Sequence, residues 1–374
     1  MAGIYIHIPF CKKACHYCNF HFSTTLNRKE EMVAALLGEL ELRRDYLSGA
    51  PLRSIYLGGG TPSLLETKEL VALFEKMTAL HTVLTDAEIT IEANPDDLDE
   101  NRLFEWRNHT PINRISIGVQ SFSDDELAWM NRSHNADQSI RSIENARKIG
   151  FDNLTIDLIY GTPLSDDARW AANLERVRDL DLPHLSCYSL TVEERTALAH
   201  FVRTGRAPAV DEETAARQFE ILMDFAEAEG YEHYEISNFA RPGRRAVHNS
   251  AYWQNLPYLG IGPSAHSFDG GVRQYNIAHN ARYIAAIGEG MLPTATESLN
   301  DAQRYNETVL TALRLIEGLD IHALAPERAA YFAAQVGPWL DSGHVREQGG
   351  RYALTRSGKL LADRITADVF AADA

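Results

Sequence analysis

The chain has 374 residues, 45% of them apolar and 24% charged, with a formal net charge of −16. That length supports one large domain plus a smaller one, with a substantial buried core. The acidic balance excludes a general nucleic-acid binder, which needs a basic face to neutralise phosphates.

The first ten residues lack a basic stretch followed by a long apolar one, so no secretory signal is predicted. No window approaches the ~18 uninterrupted apolar residues of a membrane-spanning helix. The expected location is cytoplasmic, with room for contact with a membrane partner. Six short runs then read as strands: Ile4–Ile8, Ser54–Leu57, Glu88–Glu92, Arg114–Val119, Leu154–Ile159 and His184–Leu190. Most are rich in Ile, Val, Leu or Tyr, and Gly, Pro or Asn often follows closely. Between them Met32, Leu36 and Leu40, and then Leu70, Leu73, Phe74 and Met77, recur at helical spacing. Ser139, Ile143, Ala146 and Ile149 do so more weakly.

Such alternation implies parallel strands joined by helical crossovers. Six units are too few for an eight-stranded barrel, so an α/β fold is expected: an open, partial (β/α)6 barrel over residues 1–205. In such folds ligands sit at the carboxyl ends of the strands. The unusual residues fall there: cysteines after the first run, Gly58-Gly59-Gly60-Thr61-Pro62 after the second, Glu92-Ala93-Asn94-Pro95 at the third. Gln120-Ser121 follows the fourth, and Asp157 with Gly161-Thr162-Pro163 marks the fifth.

Glu212–Glu229 is predicted helical, with Gly230 at its end. Residues 231–299 are rich in Tyr, Asn, Gly and His, and 206–299 is expected as an irregular linking region. A helical unit begins near Asn300. His344–Glu347 and Arg351–Leu354, joined by Gly349-Gly350, read as a hairpin. Thr355 is expected to cap a helix through Ala367. Residues 300–374 are thus expected as a small α+β, winged-helix-like domain with a packing or partner role.

Three of the four cysteines lie within eight residues, Cys11-Lys-Lys-Ala-Cys15-His-Tyr-Cys18. A disulfide framework would spread them along the chain, so metal or redox chemistry is indicated. A structural zinc site and an ordinary iron–sulfur cluster each want four protein ligands. Three leave one position open. Cys187 lies in a strand-like apolar run and reads as an inert buried thiol. The C-x3-C-x2-C spacing, with Tyr17 before the last cysteine, resembles the signature of the radical S-adenosylmethionine (SAM) superfamily. The resemblance implies a [4Fe–4S] cluster on Cys11, Cys15 and Cys18 whose open iron chelates SAM, with Tyr17 near the adenine.

Gly59, Gly60 and Thr61 follow a strand, where glycines allow close backbone approach; they resemble the family's loop at the methionine end of SAM. Glu92 ends an alternating strand, and its carboxylate can accept hydrogen bonds from an amine or a ribose hydroxyl. Gln120, Arg132, Asp157 and Tyr5 match positions lining the SAM pocket in that family.

Across nearly the whole chain the resemblance is to the oxygen-independent coproporphyrinogen III oxidase group. It is carried by Tyr5-Ile-His-Ile-Pro-Phe-Cys11, Gly118-Val-Gln-Ser-Phe122, Asp157-Leu-Ile-Tyr-Gly161, Tyr188-Ser-Leu-Thr191 and Tyr234-Glu-Ile-Ser-Asn-Phe239. The oxidases continue the motif to a fourth cysteine, where this chain has Phe20, and carry a longer segment before it. Both departures favour the group's heme chaperone branch. That branch's H-N-x-x-Y-W motif matches His248-Asn-Ser-Ala-Tyr252-Trp253. Imidazole is a natural ligand of heme iron, the rings offer flat apolar surface, and Arg241, Arg244 and Arg245 can meet propionates. The resemblance implies heme, held through His248, as cargo for a heme-accepting respiratory protein, one that can sit at a membrane. The alternatives are a coproporphyrinogen oxidase and another radical SAM enzyme, such as a methyltransferase.

Overall fold

The computed structural model describes residues 1–372; the last two residues of the predicted 300–374 domain lie outside them. The first half is a run of βα units. Strands β1 (Ala2–Ile8), β2 (Leu52–Gly59), β3 (Val83–Ala93), β4 (Arg114–Gln120), β5 (Leu154–Tyr160) and β6 (His184–Ser189) pair in parallel, in chain order. Helices α1 (Lys29–Leu42), α2 (Thr67–Leu80), α3 (Glu100–His109), α4 (Asp124–Trp129), α5 (Ala136–Ile149) and α6 (Asp167–Asp179) form the crossovers. All six expected strands are present.

Each of these strands alternates, and the alternation builds the site. Ile4, Ile6 and Ile8, Ile55 and Leu57, Ile89 and Ile91, Ile115 and Ile117, Leu154, Ile156 and Leu158, and Leu185 and Cys187 all join the main apolar core with the helices. Their neighbours point the other way, where Tyr56, Glu92, Arg114, Ser116, Asp157 and Ser186 line a cavity. A period of two places successive side chains on opposite faces. The open barrel therefore has an apolar outer face and a polar inner one.

Next come α7 (Ala197–Arg203), α8 (Glu212–Ala228), β7 (Glu232–Glu235), β8 (Asn238–Ala240), α9 (Val247–Trp253), β9 (Tyr258–Ile261), β10 (His266–Phe268), β11 (Val272–Asn276), α10 (Asn280–Gly288) and β12 (Thr294–Ser298). Residues 206–299, expected as an irregular link, extend the sheet at both edges. β8 pairs antiparallel with β6, and β9 pairs parallel with β1. The sheet order is β12-β11-β10-β9-β1-β2-β3-β4-β5-β6-β8-β7, with no pairing between the two ends. The two glycines of Gly260-Ile-Gly262 make close approaches to the chain's own backbone, at His266 and His7.

The C-terminal unit has its own core, with Tyr305, Val309, Phe332, Val336, Val345, Ile365 and Val369 buried together. It comprises α11 (Asp301–Leu313), β13 (Leu319–Asp320), α12 (Pro326–Asp341), β14 (Val345–Gln348), β15 (Arg351–Leu354), α13 (Arg356–Lys359) and α14 (Ala362–Asp368). The hairpin forms as expected, with β13 added beside β15. The single helix predicted from Thr355 to Ala367 is two. Thr355 does cap the first, its side chain accepting from Gly358 N. The break follows because Leu360 packs toward the barrel core while Leu361 packs into the C-terminal one. No described helix is long and apolar enough to cross a membrane.

Candidate functional site

The polar inner face encloses a cavity of about 450 Å³ at the carboxyl ends of the strands. Its upper wall is the cysteine loop. Lys12 pairs with Asp96 at 2.8 Å and also with Asp97, Asn131 Nδ2 donates to Ala14 O at 2.8 Å, and His16 Nδ1 bonds Trp129 O at 2.7 Å. Cys11, Cys15 and Cys18 all line the cavity and are partly exposed, whereas Cys187 is 1% exposed on the outer face of β6. Burial raises the Cys11 thiol to about 11, against a hydrogen bond from Thr61, and raises Cys18 as well. Among the described residues no three His, Cys, Asp or Glu side chains are grouped to hold a single ion.

The residues singled out in the sequence converge here. Tyr17, Gly59, Gly60, Thr61, Glu92, Gln120, Arg132 and Asp157 all line this cavity. Arg132 ties its walls together: Nη1 donates to Cys15 Sγ at 3.3 Å, and Nη2 to Asn94 Oδ1 and Gly118 O at 2.7 Å. Glu92 accepts from Tyr56 OH at 2.7 Å and from Gly59 N at 3.1 Å. Burial pushes its carboxyl up to about 7, opposed by those two bonds. Asp157 is pushed up to about 6 by burial, against the pull of Arg114 and a bond from Ser186. Gln120 turns into the cavity from a left-handed backbone, φ 66°, which non-glycine residues rarely adopt. Gly59 at φ 103° could carry no side chain without striking the His7 ring, so this glycine serves the chain's own packing. Tyr5 lies apart from the cavity lining; its hydroxyl bonds His7 Nδ1 at 3.0 Å, and His7 Nε2 bonds His21 O at 2.8 Å.

Several residues the sequence reading missed belong to the site. Tyr56, Arg114, Ser116, Thr155 and Ser186 line it, and the period-two pattern of their strands was the available signal. Arg132 Nε and Arg114 Nε and Nη2 are buried without a hydrogen-bond partner. Arg114 Nε does lie 3.7 Å from Glu88, but buried donors without hydrogen bonds beside two carboxylates and three thiols suit a charged polar ligand next to a thiolate-held group. The donor set therefore fits SAM and a cluster.

His248 lies outside the cavity lining. It is 2% exposed, on a helix packed against β1 and β2. Its Nδ1 bonds Ser54 Oγ at 2.8 Å and its Nε2 bonds Tyr252 OH at 2.9 Å. Both ring nitrogens are thus engaged within the chain. Glu88 from β3 caps this helix, accepting from Val247 N at 3.0 Å and His248 N at 2.9 Å. Two of the three arginines before it are committed too: Arg241 lies over Tyr231 and pairs with Asp181, and Arg245 pairs with Glu232 and Glu317.

Comparison with known proteins agrees with the geometry. The Radical SAM superfamily matches over residues 5–177. Heme chaperone HemW of Bacillus subtilis (strain 168) is 33% identical over 373 residues, covering 98% of each chain. Heme chaperone HemW of Escherichia coli (strain K12) is 30% identical, covering 97% of this chain and 96% of its own. Among solved structures, Escherichia coli coproporphyrinogen III oxidase (HemN) has a TM-score of 0.85, covers 99% of this chain and 90% of its own, and is 24% identical, which establishes a shared fold. The chain therefore belongs to the radical SAM superfamily and, within it, to the HemW family.

Proposed function

We propose that this protein binds heme and passes it to a heme-dependent respiratory protein in or facing the cytoplasm, with SAM and a [4Fe–4S] cluster held in the barrel cavity. The observation that carries this reading is the near full-length likeness to proteins named heme chaperones. Phe20 supports it: it stands 66% exposed at the cavity mouth, where the oxidase group carries a fourth cysteine.

Cys11, Cys15 and Cys18 hold the cluster in this reading, and bound iron would reverse the burial effect on the Cys11 and Cys18 thiols by stabilising thiolates. When bound, the cluster and SAM supply a reductively cleavable carbon–sulfur bond. The chain's residues orient the ligand. Arg132 fixes Cys15 against the ends of β3 and β4, while Glu92 and Asp157 present buried acceptors to ammonium and hydroxyl donors. Gln120, Gly59, Gly60, Thr61 and Tyr17 complete the walls. Tyr5 acts through His7. Heme is assigned to a surface other than the His248 ring, whose nitrogens are already bonded.

The test is heme titration of anaerobically reconstituted protein by its Soret band, with coproporphyrinogen conversion assayed in the same preparation. Stoichiometric heme binding without conversion is expected. SAM-dependent conversion without heme binding would restore the oxidase reading. Replacing Cys11, Cys15 and Cys18 by Ala should abolish iron–sulfur absorbance, and Cys187→Ala should leave it intact.

A further inference from the structure

The buried side of α9 leads straight to the cofactor cavity. The His248 ring stacks on Tyr56, with centroids 5.1 Å apart and an interplanar angle of 22°. Tyr5 stacks beside both, 6.2 Å from Tyr56 and 6.5 Å from His248. Burial lowers His248 to about 3, with the nearby Arg114 charge adding to the effect, so the ring is neutral. A neutral imidazole has one donor and one acceptor nitrogen, which suits the two hydroxyls it meets, on Ser54 and Tyr252. Gly3 leaves room for it: a side chain there would begin 3.3 Å from the ring. The ring is therefore held on both edges and presents a fixed face to Tyr56.

Tyr56 in turn donates to one oxygen of Glu92 while Gly59 N donates to the other. Gly58 makes space for this pair, since a Cβ there would lie 2.7 Å from the Tyr56 ring and 2.9 Å from Glu92 Oε1. We propose that His248 is a positioning residue of the SAM site: its ring holds Tyr56 in the orientation that fixes the Glu92 carboxylate. The inference rests on the assignment of Glu92 to SAM made above. It gives the H-N-x-x-Y-W stretch a structural path to the cofactor cavity in place of direct iron ligation.

The experiment measures SAM binding to the anaerobically reconstituted full chain by equilibrium dialysis, together with the change SAM causes in the EPR spectrum of the reduced cluster. Heme binding is followed in the same samples. Losing the hydrogen bond to a charged carboxylate should weaken SAM binding roughly tenfold in H248A and in Y56F. The H248A and Y56F effects should be non-additive, because they act through one chain of contacts. H248F keeps the stacking ring and should recover most of the affinity and the EPR change, whereas H248Q keeps polar contact without the ring and should not. Heme affinity should be unchanged in all of them. Wild-type SAM affinity in both Y56F and the His248 variants, with E92Q impaired, overturns the inference and leaves the SAM site standing. Unimpaired E92Q removes the SAM assignment and the inference with it. Loss of the Soret band in H248F at normal SAM affinity makes His248 the iron ligand and also overturns it. Should H248A fail to fold, H248F, H248Q and Y56F carry the same comparison.

Discussion

Glu92 shows how a single side chain can carry a cost in the free protein that a ligand then relieves. Burial raises its carboxyl from 4.5 to about 7. The folded state therefore holds this proton more tightly than the unfolded chain. Its contribution to stability is present below about pH 4.5 and is lost as the pH rises through 7. Glu92→Gln removes that penalty. The variant should gain about 2 kcal/mol relative to wild type between pH 5 and pH 8, measured by denaturant unfolding of the cofactor-free protein. Glu92 was legible in the sequence because it closes an alternating strand. Arg114 and Ser116 sit in an equally regular alternation, Arg-Ile-Ser-Ile-Gly-Val-Gln, yet only its last residue was read as functional. A strand buried on both sides usually reads as a continuous apolar run; the regular polar positions in β4, β5 and β6 were the trace of a cavity.

At the scale of elements, the sheet extension depends on one buried carboxylate. Glu39 on α1 is fully buried and accepts from Gly262 N and Asn276 Nδ2 at 2.8 Å and from Tyr283 OH at 2.5 Å, with Arg43 at 3.4 Å. It thereby joins α1 to the turn after β9, to β11 and to α10. Glu39→Ala leaves these donors and the Arg43 charge unpaired. The expected loss is roughly 3–5 kcal/mol, seen as a lower unfolding midpoint in urea. None of this was visible beforehand. Strands β9 to β12 are three to five residues long, too short for a period to emerge, and their partners lie far away in sequence. The helix α9 was noticed for its residue types, but only packing against β1 and β2 shows its inward face.

For the whole molecule, burial of neutral histidines sets the response to acid. Burial lowers His7 and His134 to about 4 and His233 and His248 to about 3. Each must stay uncharged to remain folded. Their stabilising contribution is present above about pH 6.5 and is lost as the pH falls toward those lowered values. Each contributes roughly 2 kcal/mol of loss between pH 7 and pH 5, opposed in part by Glu92 and Asp157. The melting temperature of the cofactor-free protein should therefore fall on acidification over that range, as thermal unfolding by circular dichroism would show. A flat or rising melting temperature would mean that these rings are solvated.

The sequence by itself determined the βα order, the strand ends on which the site is built, and the grouping of three cysteines in one loop. These rest on local periodicity and on residue types within a few positions of one another. Tertiary structure decided what depends on distant segments meeting. It placed residues 206–299 in the same sheet as the barrel, split the last helix between two cores, and buried His248 against Tyr56, outside the cavity lining. A side chain's type states which bonds it can make, whereas its partners, Ser54 and Tyr56 in this instance, are set by which strand the helix packs against.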